Sequence, residues 1–217
     1  MARGYFVAGT DTGVGKTLVS CALLRGFVAR GLRAVGMKPV AAGCDDVDRL
    51  RAAGNVEAGC AWVNPYALSA PIAPHLAARQ AGVQIDLCRI DDAFRQLGAI
   101  ADVVVVEGVG GALVPLNDRE DSSDLMRKLA LPVVLVVGMR LGCLNHALLT
   151  AEALERRGLA MAGWVANRID PDMPAWAENI AALEQRLVPP LLGVVPFAAA
   201  PVAEEVKVFL CIDRFDG

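Results

Sequence analysis

The stretch that decides the fold is YFVAGTDTGVGKT, at residues 5–17. It opens with an apolar run at residues 5–8 that predicts a buried β-strand. A glycine-rich loop follows, and residues 16–30 then have the pattern of a helix, which Gly31 ends. A strand, a glycine-rich loop and a helix in this order predict a helix N-terminus that binds an anion.

The loop finishes in Gly15-Lys16-Thr17, which is the functional end of a phosphate-binding P-loop. In such a loop backbone N–H groups contact the phosphates, the lysine neutralises the β- and γ-phosphates, and the threonine hydroxyl can bind Mg²⁺. The match to G-x-x-x-x-G-K-[ST] is imperfect, because Thr10 occupies the first glycine position and Gly9 comes one residue early. The position between a strand and a helix still predicts a site for a nucleoside triphosphate with Mg²⁺.

Strand-like and helix-like segments alternate along the whole chain. Further strands are predicted at residues 34–37, 102–106, 132–137, 163–166 and 191–195, and helices at 45–53, 90–100, 122–130, 145–157 and 175–187. We expect Ser122 to cap its helix, and the proline-rich residues 64–74 to form a surface loop before a short helix. The alternation predicts a doubly wound α/β fold of the P-loop NTPase type, with a mainly parallel sheet flanked by helices. The length predicts a single domain over residues 1–217.

Composition excludes several classes of partner. A net charge of −3 gives no attraction for nucleic acid or an anionic membrane. The six cysteines contain no C-x-x-C pair, which argues against a zinc site or a dithiol redox motif and favours reduced, mostly buried thiols. No signal peptide is visible, and no apolar run approaches the roughly 20 residues of a membrane span. We therefore expect a soluble, cytoplasmic protein.

Side chains that directly follow the predicted strands are candidates for the same site. The carboxyl ends of parallel strands share one edge of the sheet, and ligands bind there. Lys38, Glu107, residues 138–141 and Asn167 hold such positions. We expect Glu107 to hold Mg²⁺ directly or through water, and Lys38 to act as a catalytic cation. The glycines in residues 108–111 would let the backbone approach a ligand closely.

The remaining polar candidates are an acidic cluster and two histidines. Asp45, Asp46 and Asp48 lie close together in sequence, and any one of them could complete the Mg²⁺ shell. His75 and His146 are far apart, and neither has an acid or thiol at metal-ligand spacing on a recognisable motif, so neither is expected to be a ligand or a base.

Seven segments together resemble the dethiobiotin synthetase family, whose members use ATP in biotin synthesis. They are residues 9–17, 38–40, 64–66, 74–75, 106–111, 141–146 and 163–167. The resemblance implies that 7,8-diaminononanoate (7,8-diaminopelargonate) takes up CO₂ as a carbamate, which attacks the γ-phosphate of ATP. The resulting carbamic-phosphoric mixed anhydride closes on the second amine to give a cyclic urea, with ADP and phosphate released.

The resemblance also implies roles for residues of the catalytic centre. It assigns catalysis to Lys38, Lys16 and Thr12, and it places Thr12 near the carbamate. Within the acidic cluster it selects Asp48. The expected Mg²⁺ ligands are therefore Thr17, Asp48 and Glu107.

Nucleotide and substrate contacts follow from the same resemblance. Asn167 is the expected reader of the adenine, and Pro196 lies in a segment expected to close on the base. The expected nucleotide-binding set is Gly13, Val14, Gly15, Lys16, Thr17, Leu18, Asp48, Glu107, Gly108, Val109, Gly110, Asn167, Arg168, Val195, Pro196 and Phe197. The expected substrate set is Thr12, Lys38, Ala42, Gly142, Cys143, Leu144 and Asn145. The last four are expected to reach the substrate carboxylate of a neighbouring subunit, which implies a homodimer.

Three departures and two rival classes bear on this interpretation. Ala42 stands where many relatives have a serine, Gly13 replaces an acidic residue of some members, and the tail after Ala198 aligns with nothing in the family. Partitioning ATPases of the same superfamily carry an extra lysine early in the P-loop, whereas residues 10–13 here contain none. Amidotransferase-type ligases need a glutaminase domain, for which the chain has no room.

Overall fold

The computed structural model describes residues 3–43 and 46–215. The strands are β1 (Arg3–Gly9), β2 (Ala34–Met37), β3 (Val40–Ala42), β4 (Tyr66–Leu68), β5 (Val103–Glu107), β6 (Val133–Met139), β7 (Met161–Arg168) and β8 (Leu191–Val195). Six of them form one parallel sheet in the order β2-β5-β1-β6-β7-β8. The predicted parallel α/β sheet is confirmed, and β2 and β8 have the bounds that the sequence predicts.

Helices connect the strands. They are α1 (Lys16–Ala29), α2 (Asp46–Ala53), α3 (Cys60–Val63), α4 (Pro74–Gln80), α5 (Leu87–Ile100), α6 (Ser122–Leu129), α7 (Cys143–Arg156), α8 (Trp176–Glu184) and α9 (Ala203–Val206). The short α9 lies in the tail that the sequence left unassigned, and it packs against α1.

The sheet is buried on both faces, as its valine-rich strands predict. In β5, Val104 and Val106 belong to one apolar cluster, whereas Val103 and Val105 belong to the cluster on the opposite face. Helix α1 supplies much of the second cluster, and α5, α6 and α7 contribute to the first. A doubly wound sheet of this kind aligns the carboxyl ends of all its strands along one edge.

The starts of α5 and α7 and the capping residue of α6 differ from prediction. Helix α6 is capped by Asp121 and not by Ser122, since the Asp121 carboxylate accepts hydrogen bonds from backbone N–H groups of the first turn and the Asp124 carboxylate accepts one from the Asp121 N–H. Helix α5 begins at Leu87 because Asp86 caps it through the Cys88 N–H. Helix α7 begins at Cys143, two residues earlier than predicted.

The expectation of a surface loop over residues 64–74 is wrong in part. Strand β4 lies within this segment and pairs in parallel with β3 as a separate two-stranded sheet. Tyr66 and Leu68 are buried there, and the Tyr66 hydroxyl accepts a hydrogen bond from the Asp86 N–H. The predicted short helix is confirmed as α4.

Two further predictions concern the cysteines and membrane-spanning helices. Of the five described cysteines, Cys21 and Cys143 are buried, but Cys60, Cys88 and Cys211 are exposed, so "mostly buried" is wrong, although all five are free thiols. Within residues 3–43 and 46–215, the helices are all too short or too polar to cross a membrane. Asp45, where a helix was predicted to begin, lies outside the described residues.

Candidate active site

The phosphate loop joins the carboxyl end of β1 to the start of α1. Gly13 and Gly15 have φ values of 74° and 93°, in the left-handed region that favours glycine. Gly15 is the N-cap residue of α1 and has no side chain with which to cap it. The first N–H groups of a 14-residue helix therefore remain available for an anion, as the sequence predicts.

Lys16 reaches back over this loop. Its Nζ donates a hydrogen bond of 2.9 Å to the backbone carbonyl of Asp11. Burial, together with the positive charge of Lys38, lowers the pKa of Lys16 to about 8. A buried ammonium that, among the described residues, donates a hydrogen bond to a neutral carbonyl is well suited to bind a phosphate.

The carboxylate of Asp11 links the loop to the end of β6. It accepts a 2.7 Å hydrogen bond from the Thr12 N–H and forms an ion pair of 2.5 Å with Arg140. The Thr12 N–H, assisted by Arg140, lowers the pKa of Asp11. Arg140 directly follows β6 and is an arginine whose pairing sequence reasoning missed. The two partners are 129 residues apart in the chain, so only the adjacency of β1 and β6 could have indicated the contact.

Lys38 and Glu107 form the centre of the site. Lys38 Nζ lies 2.5 Å from Glu107 Oε1, 3.0 Å from Asp46 Oδ2 and 3.2 Å from the Gly108 carbonyl. The Thr17 hydroxyl lies 2.8 Å from Glu107 Oε1 and 3.0 Å from Asp46 Oδ1. The structure thus brings together side chains from α1, α2 and the ends of β2 and β5.

Burial controls the charges of this cluster. Lys38 is 4% exposed and Glu107 only 1%. Burial alone would lower the pKa of Lys38, but the carboxylates of Glu107 and Asp46 outweigh it and raise that pKa. Burial raises the pKa of Glu107, against the opposing charge of Lys38. A raised pKa keeps the Lys38 ammonium protonated at neutral pH.

The oxygen atoms of this cluster fit Mg²⁺. A hydroxyl and two carboxylates are the hard ligands that this cation prefers, with water completing its octahedron. Glu107 Oε2 is buried and accepts no hydrogen bond from any residue in the described ranges. An orphaned buried carboxylate oxygen is costly unless a ligand satisfies it. Thr17, Asp46 and Glu107 therefore could hold the metal.

Asp46, and not Asp48, is the aspartate on α2 that contacts Thr17 and Lys38 in the structure. The two residues are two apart on α2, so they point about 200° apart around its axis and cannot both face Thr17. Asp46 lies one helical turn before the buried Leu50 and shares its face, whereas Asp48 is exposed. That spacing could have selected Asp46 from the sequence. The third member of the cluster, Asp45, is not described.

Asn64 supports Lys38 from behind. Its side-chain amide donates a 2.6 Å hydrogen bond to the Lys38 carbonyl, and the Lys38 N–H donates to the Val63 carbonyl at 2.8 Å. Sequence reasoning placed Asn64 in a characteristic segment but gave it no role. Its function is to fix the backbone that carries Lys38.

The predicted nucleotide residues cluster at the carboxyl edge of the sheet. Gly108, Val109 and Gly110 follow β5, and a Cβ on Gly110 would lie 3.7 Å from Thr12 Oγ1. Asn167 and Arg168 end β7, and Val195 ends β8 in register with Asn167. Val14 is buried, Leu18 half-buried, and Pro196 and Phe197 are exposed beyond β8.

The predicted substrate residues occupy two places. Ala42 ends β3 and is half-buried. Gly142, at φ 94°, is the N-cap residue of α7, followed by buried Cys143, half-buried Leu144 and exposed Asn145. Among the described contacts, the link from this turn to the phosphate loop is the Arg140–Asp11 pair.

Comparison with known proteins agrees with this geometry. The family described as "AAA domain" matches residues 3–205. The ATP-dependent dethiobiotin synthetase of Nitrosospira multiformis is 57% identical, over 99% of this chain and 97% of its own. That of Aromatoleum aromaticum is 54% identical, over 96% of each chain. The chain belongs to the dethiobiotin synthetase family.

Solved structures outside this family share its fold. MinD from Pyrococcus horikoshii, in complex with Mg-ADP, is 17% identical, with a TM-score of 0.61 over 100% of this chain and 89% of that chain. FtsY from Thermotoga maritima is 17% identical, with a TM-score of 0.59 over 99% of this chain and 68% of that one. At these identities the likeness shows the P-loop NTPase fold alone.

Proposed function

We propose that the chain is a dethiobiotin synthetase that converts 7,8-diaminononanoate, CO₂ and ATP into dethiobiotin, ADP and phosphate. The observation that carries this proposal is the buried cluster of Lys38, Glu107, Asp46 and Thr17 beside Lys16, in a chain 57% identical to an enzyme of that name. The cluster combines two ammonium groups with a set of oxygen ligands. Phosphoryl transfer to an anionic acceptor needs both.

The proposed reaction balances in three steps. One amine of the substrate bonds to CO₂ and loses a proton, which gives a carbamate. A carbamate oxygen bonds to the γ-phosphorus while the bond to the β-bridging oxygen breaks, which releases ADP. The second amine then attacks the carbamoyl carbon and gives up a proton, and phosphate leaves with the former carbamate oxygen.

Two lysines match the charges that this reaction develops. Lys16, at the start of α1, is the proposed contact of the β- and γ-phosphates. To reach them it gives up one hydrogen bond to the neutral Asp11 carbonyl, which costs little. Lys38 is placed to bring the carbamate and the γ-phosphate together despite their like charges. Thr12, at the exposed mouth of the loop, is the proposed carbamate contact.

Thr17, Asp46 and Glu107 are the proposed ligands of Mg²⁺. The bound metal would supply positive charge to the phosphate oxygens during transfer. Each of the three side chains is already oriented by its neighbours, because the Thr17 hydroxyl bridges the two carboxylates.

A homodimer is part of the proposal. Gly142 leaves the first N–H groups of α7 without a side-chain cap, which suits a carboxylate. Leu141, beside it, is 91% exposed, as an apolar residue covered by a second subunit would be in the isolated chain. Light scattering should give twice the 22.8 kDa mass of one chain, and a monomer at active concentrations would refute this arrangement.

Two further proposals concern the domain organisation and the location of the protein. We propose one domain over the whole chain, and a cytoplasmic location, where the free thiols of the five described cysteines would stay reduced. Limited proteolysis that released a stable fragment would contradict the first. A protein recovered from a periplasmic extract would contradict the second.

The test of the proposed reaction is its dependence on the diamine. ADP release should require 7,8-diaminononanoate together with bicarbonate, and omission of either should reduce it to background. A nucleotide-switch ATPase of the same fold would hydrolyse ATP without the diamine. Equal ADP release with and without the diamine would therefore overturn the proposal.

A further inference from the structure

Asn167 is buried between two strands and faces the phosphate loop. It ends β7 in register with Gly138 of β6 and Val195 of β8, and it is 4% exposed. Strand β7 is separated from β1 by β6, so its backbone does not touch the loop that follows β1. Its side chain spans this gap.

The amide of Asn167 binds the loop directly. Asn167 Nδ2 donates a hydrogen bond of 2.8 Å to the carbonyl of Val14. The bond is buried and joins residues 153 apart in sequence. It fixes the peptide plane between Val14 and Gly15, whose N–H lies at the mouth of the helix.

Gly15 is fitted to this contact. A Cβ on Gly15 would lie 2.1 Å from Asn167 Nδ2, far inside van der Waals contact. The side chain of Val14 is fixed as well, because a Cβ on Gly138 or on Gly9 would lie only 2.8 Å from its methyl groups. Val14 and Gly15 are therefore held by β1, β6 and β7 together.

We propose that Asn167 is a positioning residue for the phosphate loop. Its side chain aligns the Val14–Gly15 peptide, and the N–H groups after it, with the triphosphate. This role rests on the proposed use of ATP and differs from contact with the adenine. A residue that only reads the base affects ligands that have a base. A residue that positions the loop affects phosphates whether or not a base is attached.

The test uses inorganic triphosphate with Mg²⁺, a ligand that has no base. By calorimetry, Asn167→Ala should weaken triphosphate binding roughly fivefold, the usual net worth of one hydrogen bond. Asn179→Ala is the matched control, because Asn179 on α8 also donates its amide to a backbone carbonyl, but through an exposed hydrogen bond far from the phosphate loop in sequence. Unchanged triphosphate affinity in Asn167→Ala, with weaker ATP binding, would overturn the proposal and leave Asn167 as a base reader.

Two further readouts separate the possible failures. In the nucleotide-free wild type, the side-chain amide protons of Asn167 should exchange slowly by NMR, and fast exchange would overturn the proposal without any variant. If Asn167→Ala does not fold, Asn167→Ser is measured in the same way. Failure of the proposed function would appear differently, as a wild type that binds triphosphate but forms no cyclic urea from the diamine.

Discussion

Lys38 is the residue whose removal should separate catalysis from binding. It contacts the buried carboxylate of Glu107 and the half-buried carboxylate of Asp46, while the phosphate loop that would bind ATP is built from other residues. Lys38→Ala should lower turnover more than tenfold, at least about 1.4 kcal/mol of transition-state stabilisation. ATP should still bind. Lys128→Ala, an exposed lysine on α6, is the control. Full turnover in Lys38→Ala would remove it from catalysis.

The choice between Asp46 and Asp48 has a direct test in the Mg²⁺ requirement. Asp46 reaches Thr17 and Lys38, whereas Asp48 is exposed on the same helix. Asp46→Asn should raise the Mg²⁺ concentration for half-maximal turnover about tenfold or more, the usual scale for a lost metal contact. Asp48→Asn should leave it unchanged. The reverse pattern would restore Asp48 as the ligand.

Lys16 should take up a proton when ATP binds near pH 8. Burial lowers its pKa to about 8, so about half of the chains then carry a neutral Lys16, and the phosphates should return it to the charged form. Calorimetry in buffers of different ionisation enthalpy should detect this uptake at pH 8, and far less at pH 7. Equal uptake at both values would contradict it.

The sign of the accompanying stability effect follows from the same pKa. Because the folded-state pKa lies below the ordinary value of 10.5, burying charged Lys16 costs stability at neutral pH. That cost is fully present below about pH 8 and diminishes as the pH rises toward 10.5. Bound nucleotide should remove this pH dependence, because it supplies the lysine with an anionic partner.

At the scale of elements, helix α6 offers a test of the revised cap. Asp121 accepts hydrogen bonds from the first turn in a reciprocal arrangement with Asp124. Asp121→Ala should lower the free energy of unfolding by about 1 kcal/mol in urea titrations. Asp118→Ala, which loses only an exposed ion pair with Arg79, should change it by less than about 0.5 kcal/mol. An equal effect in the two variants would contradict the cap.

The elements that sequence patterns predicted well are those with long, continuous signals. The sequence predicted β5 and β6 from their valine runs, which are continuous because both faces of the sheet are buried. The helix after the phosphate loop also has a long, continuous pattern. Strands β3 and β4 were missed because each has three residues, too few to show an alternating pattern. The start of α5 could have been read from Asp86, which has a typical capping side chain.

The site was predictable where it depends on strand ends. Lys38, Glu107 and Asn167 lie at one edge of the sheet because parallel strands put them there. Asp46 was one of three candidate aspartates, and its spacing to the buried Leu50 places it on the inner face of α2. The Arg140–Asp11 pair and the bond from Asn167 to Val14 join distant residues, and nothing in the local sequence encodes such contacts.

In the whole molecule, the carboxyl edge of the parallel sheet is the proposed site of the complete reaction. The phosphate loop, the Lys38–Glu107 cluster and the start of α7 all follow strands of one parallel sheet. Similarity to known dethiobiotin synthetases establishes the family. The identity of the diamine and the use of CO₂ have to be tested on the reaction itself.

The most direct measurement is therefore the mass of the product formed from 7,8-diaminononanoate, ATP and ¹³C-bicarbonate. The account predicts a cyclic urea that contains one ¹³C atom, formed in equal amount to ADP. Unchanged diamine beside released ADP, or a product without the ¹³C label, would contradict it.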